Sequence, residues 1–297
     1  MKTRLFSGAA LISLAALVIL LLTDSQAQNG SPWKWSHVLK HDQVGDAMIV
    51  PTSLYIDPEK ELYYVVDSGR NRLLSFDRNG ELLSIFNAGR ELDIPFDMTR
   101  LDEQGIWVVE KKENSLSYID IKARKVTQHT LHYGGDLIYP DRLESSGGQM
   151  YVLNKATGDV LGYGPDLEPG ARFSCGDCPW GFVDFKIYGD RLWALDQRRS
   201  IIYRFNLEGG LEERTELGGT IEFPVSFAVG PSGYIYVLDR HGRNVSVHDK
   251  TGAFKYQFLD RGIARGQLYY PTEIRFDPWG GLCVLDEGNA RVEVFKR

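Results

Sequence analysis

PTEIRFDPWGGLCVLDEGNARVEVFKR, residues 271–297, decides the fold of this chain. It reads as a proline, an alternating apolar run, a Gly-rich turn, a second apolar run closing on Asp286, a polar hairpin and a third apolar run. Alternation over five or six residues between such turns marks half-buried antiparallel strands. The same order returns at 224–249 (PVSFAVGPSGYIYVLDRHGRNVSVHD) and at 51–77 (PTSLYIDPEKELYYVVDSGRNRLLSFD). More worn copies begin at 94, 139 and 182, and a weaker fourth run follows, as at 81–86, 125–131 and 253–259.

The residue closing the second run keeps the register. It is Asp67, Glu110, Asn154, Asp196, Asp239 and Asp286, at spacings of 42 to 47 residues. That period, with four short strands per repeat and no helical periodicity, predicts an all-β, six-bladed β-propeller of four-stranded antiparallel blades. The sixth copy has no fourth run after RVEVFKR, whereas residues 33–39, WKWSHVL, precede the first copy without partners. Pairing this N-terminal strand with the last blade satisfies both sets of backbone groups and closes the ring.

The repeat resembles the NHL repeat, in which the second strand ends in Asp and is followed by Asn-x-Arg and a third strand. The resemblance spans about residues 49–297. Asp286, Asn289 and Arg291 match it fully, the first copy keeps Asp67 and Arg72 but has Arg70 in the Asn place, and copies two to five lack the Arg. The chain is similar to an exported, bacterial-type member of that family. For the Asp and Arg themselves the expected role is structural, tying the hairpin turn.

Residues 1–27 read as a secretory signal peptide. Lys2 and Arg4 precede an apolar run from Ala9 to Leu22, and Ser25-Gln26-Ala27 offers a cleavage site. Fourteen apolar residues are short for a span, with an uncleaved N-terminal membrane anchor as the alternative. Residues 28–48 form an N-terminal segment carrying the ring-closing strand, and 49–297 form the propeller. The expected location is periplasmic or secreted, with no membrane span after cleavage and a mature formal charge of −7 once Lys2, Arg4 and Asp24 are removed. Cys175 and Cys178, in FSCGDCPWGF between the third and fourth copies, suit a disulfide in that compartment. A redox Cys-x-x-Cys or a shared metal site are the alternatives. Cys283 reads as a buried free thiol.

Charge placement bears on function. The hairpins after the second strands share one face with the inter-blade connections. They carry Arg70, Lys112, Lys155, Arg198, Arg199, Arg240 and Arg243 among their cations, while the opposite turns are acidic. A basic loop face on a net-acidic protein points to an anionic partner. Cytoplasmic NHL relatives use a comparable face for RNA or protein. Export disfavours nucleic acid and favours a protein or peptide, or an anionic polysaccharide.

Catalysis is the competing class, because the resemblance extends to metal-dependent lactonases and to a lyase that cleaves hydroxyglycine peptides. Aligning the first strands puts Ser53, Asp97, Arg142, Asp184, Ser226 and Glu273 near the channel mouth. Asp97, Asp184 and Glu273, on alternate blades, could hold Ca²⁺ through oxygen ligands. No histidine recurs at the channel position to make a Zn²⁺ site, and no Gly-x-Ser-x-Gly or phosphate loop is present. The sequence therefore reads as a non-catalytic binding scaffold that needs no cofactor, with a divalent-metal-dependent hydrolase or lyase as the alternative.

Overall fold

A computed structural model describes residues 31–297, so the leader assigned to residues 1–27 lies outside the described residues. Six four-stranded antiparallel sheets form the ring. The first blade is built from Pro51–Asp57, Leu62–Asp67, Arg72–Asp77 and Leu82–Phe86, running from the channel outward. The innermost strands of the next five are Pro95–Thr99, Pro140–Ser146, Asp184–Tyr188, Pro224–Val229 and Pro271–Phe276. The ring closes as the sequence predicts. Lys34–Leu39 pairs antiparallel with Arg291–Lys296 and becomes the outer strand of the sixth blade.

Each pair of neighbouring blades buries its own apolar cluster. The sixth and first blades meet through Leu39, Leu54, Val65, Leu74, Val292 and Val294, and the third and fourth through Tyr151, Phe173, Phe185, Tyr203 and Phe205. Trp33, just ahead of the closing strand, packs on Tyr236, Phe258 and Phe276 and so fastens the entry of the chain to the fifth and sixth blades. Cys283 is buried in the sixth–first cluster, and desolvation holds its thiol well above the ordinary range.

The proline that opens a copy has a defined place. Pro51, Pro95, Pro140, Pro224 and Pro271 pair with Asp67, Glu110, Asn154, Asp239 and Asp286, and in every case the register then shifts. A proline at a strand's first residue loses no ladder bond, and the bulge behind it turns the next side chain toward the channel axis. The fourth blade has neither device: Asp184 pairs directly with Leu195 in unbroken register.

The residue column that sets the register ties successive elements together. Asp67 accepts from the backbone N–H of Ile49 and Val50, Glu110 from Asp93, Asn154 from Tyr139, Asp239 from Glu222 and Phe223, and Asp286 from Tyr269. These five carboxylates and amides thus anchor the connection entering their own blades; Asp239 accepts from its hairpin N–H groups as well, and Asp196 accepts from its hairpin alone. Arg72 and Arg291 complete the arrangement in the two best copies. They reach Asp67 at 3.0 Å and Asp286 at 3.4 Å and also donate to carbonyls of the entering connection.

Candidate functional site: the loop face and channel mouth

Two repeating positions, the first in all six blades and the second in four, build the mouth of the channel on the face that holds the hairpins and the inter-blade connections. The first is the bulge residue behind the opening proline: Thr52, Phe96, Asp141, Val225 and Thr272, with Val183 in the fourth blade. The second directly follows the register column: Lys155, Gln197, Arg240 and Glu287 in the third to sixth blades. Together with Arg142 and Phe223 they enclose a cavity of about 340 Å³. The column position also joins blades, since Ser68 donates to the carbonyl of Pro95, Lys111 to that of Pro140 at 2.8 Å, and Gln197 to that of Pro224 at 2.8 Å.

Beneath this mouth lies a buried ion cluster. Asp97 accepts from Ser53, from Met98 N–H at 2.8 Å and from Leu143 N–H at 2.9 Å. Asp184 accepts from Ser226 Oγ at 2.7 Å, from Phe227 N–H at 3.2 Å and from Lys186 Nζ at 2.9 Å. Glu273 accepts from Leu54 N–H at 3.0 Å and from Arg275, with Lys186 at 3.6 Å and Arg142 at 3.9 Å. Arg275 further meets Glu144 at 2.8 Å, and Arg142 donates to Thr52 O at 2.9 Å. Desolvation pushes the Asp97 carboxyl up to about 6 against the pull of Arg142. Burial also opposes ionisation of Glu273, but Arg275, Lys186 and Arg142 together hold it down at about 2.

The six residues aligned from the sequence at the channel do converge there, one layer deeper than the mouth, with Arg142 reaching both layers. Both oxygens of Asp97, Asp184 and Glu273 are already engaged, and the ammonium of Lys186 and guanidinium of Arg275 stand where a divalent ion would need open ligands. This donor set does not fit Ca²⁺ or Zn²⁺. Among the described residues no group of three or more His, Cys, Asp or Glu side chains is disposed to hold a metal ion.

The cations proposed for the loop face have defined neighbours. Arg70 donates to Ala47 O at 2.7 Å, Lys112 pairs with Asp93, and Lys155 lies 3.8 Å from Asp141. Arg199 is held by Asp196 at 2.8 Å and Asp177 at 3.1 Å. Arg240 lies 3.9 Å from Glu287 and stacks over Tyr270. Arg243 sits over both Tyr269 and Tyr270, and Arg198 over Trp180 at 4.7 Å. Local ion pairs thus offset much of the charge counted along the hairpins, and guanidinium groups laid on exposed aromatic rings are the distinguishing feature.

Those rings belong to a pattern that charge counting misses. Connections on this face present Val44, Ile49, Ile94, Leu137, Tyr139, Trp180, Ile263, Tyr269 and Tyr270 to solvent, and Trp180 is 69% exposed. Trp180 follows the disulfide formed by Cys175 and Cys178, whose sulfurs pack against the third–fourth blade cluster and fasten that loop. The sequence signal was available as one to three large apolar residues in each of five inter-blade connections. The mouth residues were also legible, as the position after each opening proline and the position after each register residue.

No family model and no curated protein sequence matches the chain. Its fold is similar to that of several solved structures. A virginiamycin B lyase from Staphylococcus aureus is 13% identical, with a TM-score of 0.61 over 82% of this chain and 79% of that one. A streptogramin B lyase is 14% identical, with a TM-score of 0.59 over 89% and 97%. A gluconolactonase from Xanthomonas campestris is 13% identical, with a TM-score of 0.62 over 90% and 97%. At these identities the likeness establishes the architecture: the chain is a six-bladed β-propeller closed by its N-terminal strand.

Proposed function

We propose that this chain is an exported, non-catalytic binding protein that engages a protein or peptide through its loop face. The observation that carries this reading is the composition of that face: exposed Trp180, Tyr139, Tyr269 and Tyr270 interleaved with Arg198, Arg240 and Arg243. Trp, Tyr and Arg dominate the energetic centres of protein interfaces, because rigid amphipathic rings and forked guanidinium groups give large contact area at small entropic cost. An anionic polysaccharide would need cations in greater excess than these ion-paired hairpins supply. The blades act as a rigid frame, and Arg198 and Arg240 offer forks to partner carboxylates.

The test compares wild type with a Trp180→Ala, Arg198→Glu, Arg240→Glu variant of the mature protein, using immobilised chain, periplasmic or secreted extract and label-free quantification. Arg199 is left intact because it braces Asp196. We expect a partner captured by wild type to fall at least tenfold on the variant while the melting temperature stays within about 2 °C. Equal capture by both proteins would rule out this face.

Likeness to lyases and to a gluconolactonase favours a second reading, a hydrolase or lyase with its site at the channel mouth. It requires turnover of a lactone or peptide that depends on Ca²⁺ or Zn²⁺ and is lost on chelation. The engaged state of Asp97, Asp184 and Glu273 weighs against it.

A further inference from the structure

The outer strand of a propeller blade leaves its N–H and C=O groups open to solvent, and natural edges are guarded by charge or proline against pairing with another chain. Five of the six outer strands here carry such a guard. Lys34–Leu39 has Lys34, Lys125–His129 has Lys125, Pro169–Phe173 has Pro169 and Arg172, Leu211–Glu216 has Glu212, Glu213, Arg214 and Glu216, and Phe254–Phe258 has Lys255. The outer strand of the first blade, Leu82–Phe86, reads LLSIF and carries none. Its side chains are nonetheless in solvent: Leu83 is 55% exposed, Ile85 40% and Phe86 41%.

A cavity of about 620 Å³ opens beside this strand, between the first and second blades. Ser84, Phe86 and Ala88 line it from one side, and Ile106, Ile119 and Val126 from the other. Ile121, at the same cleft, is also exposed. Ser84 and Phe86 thus face this cleft, which also carries Glu91, Asp120 and Arg124 and runs along the connection through Ala88 and Gly89, while Leu83 and Ile85 are exposed beside it on the same edge strand.

We infer that Leu82–Phe86 is a strand-pairing edge and that its occupant is the same strand of a second copy, giving a two-fold dimer through a continuous eight-stranded sheet. Charge decides among occupants. Antiparallel pairing about Ser84 sets Leu82 opposite Phe86, Leu83 opposite Ile85 and Glu81 opposite Asn87, so no like charges meet along the paired span. A two-fold axis requires a segment complementary to itself, and a short uncharged apolar strand meets that requirement. The other five outer strands each bring a charged residue to such a contact. Main-chain bonds would supply affinity, and removal of Leu83, Ile85 and Phe86 from water would add to it.

The experiment is sedimentation equilibrium of the mature protein over micromolar concentrations, with wild type and an Ile85→Lys variant that copies the guard found at Lys125 and Lys255. We expect twice the monomer mass for wild type and at least a tenfold weaker association for the variant at an unchanged melting temperature. A Ser84→Cys variant supplies a positive readout. Because the two-fold axis passes beside this position, mild oxidation should give a covalent dimer, abolished by adding Ile85→Lys. A monomeric wild type, a dimer that survives Ile85→Lys, or no cross-link through position 84 would each overturn the inference.

Discussion

Glu110 occupies the register column where sister blades have Asp or Asn, and the longer side chain leaves one oxygen buried without a partner. Its other oxygen accepts from Asp93 N–H at 2.9 Å, and desolvation pushes the carboxyl up to about 7. A carboxyl with a folded pKa above its unfolded value binds its proton more tightly in the native state, so stability falls as pH rises from about 4.5 to about 7. Replacing Glu110 with Gln keeps an acceptor for Asp93 and removes the charge. We expect Glu110→Gln to stabilise the protein by roughly 1–2 kcal/mol at pH 8 and by little at pH 5, measured by urea unfolding at both values. Wild type and variant should share a residual slope, because burial raises Glu293 to about 7 as well. An equal effect at both pH values would mean that Glu110 is not the titrating group.

At the scale of the element, the closing strand holds both ends of the ring. Lys34–Leu39 bonds along the length of Arg291–Lys296, and Leu39 and Trp33 enter two different inter-blade clusters. Removing residues 31–40 exposes these apolar surfaces and leaves the strand Arg291–Lys296 unpaired. A fully buried large apolar side chain contributes about 1.5–3 kcal/mol, so the truncated chain should lose several kcal/mol, and thermal unfolding should begin far below that of the full domain. An unchanged melting temperature would show that the ring is stable without its closure. The same strand illustrates why element boundaries were readable. WKWSHVL is a short run rich in Trp, Val and Leu with no partner of its own, and the sixth copy lacks a fourth run, so surplus and deficit pointed to one pairing.

At the scale of the molecule, the channel cluster joins blades that are distant in sequence. Lys186 of the fourth blade meets Asp184 at 2.9 Å, Glu273 of the sixth blade at 3.6 Å and Glu144 of the third at 3.9 Å. Breaking a buried ion pair by removing one partner typically costs 3–5 kcal/mol, because an uncompensated charge remains. Lys186→Met should therefore destabilise the whole ring by at least about 3 kcal/mol, read from the denaturant midpoint. A loss under 1 kcal/mol would indicate that water already reaches the channel and screens these charges.

Most of the architecture could be read from residue order because it rests on local, periodic chemistry. Alternation makes strands, a proline marks each channel strand but one, and one polar residue per copy keeps the count. Six copies with that spacing leave few arrangements other than a ring, and the unpaired strand at 33–39 names its own partner. Positions within the site were partly legible for the same reason: Asp97, Arg142, Asp184 and Glu273 reach the channel because equivalent positions superpose. Tertiary structure alone decided what they do there. Lys186 and Arg275 lie two residues along their strands from Asp184 and Glu273, on the same face, and only closure of the ring brings them among carboxylates of other blades. The state of the loop cations was likewise a matter of three dimensions, since Asp93, Asp141 and Asp177, which pair with Lys112, Lys155 and Arg199, come from other stretches of the chain. Periodicity is a property of neighbours along the chain, whereas the charge that reaches a partner depends on neighbours across space.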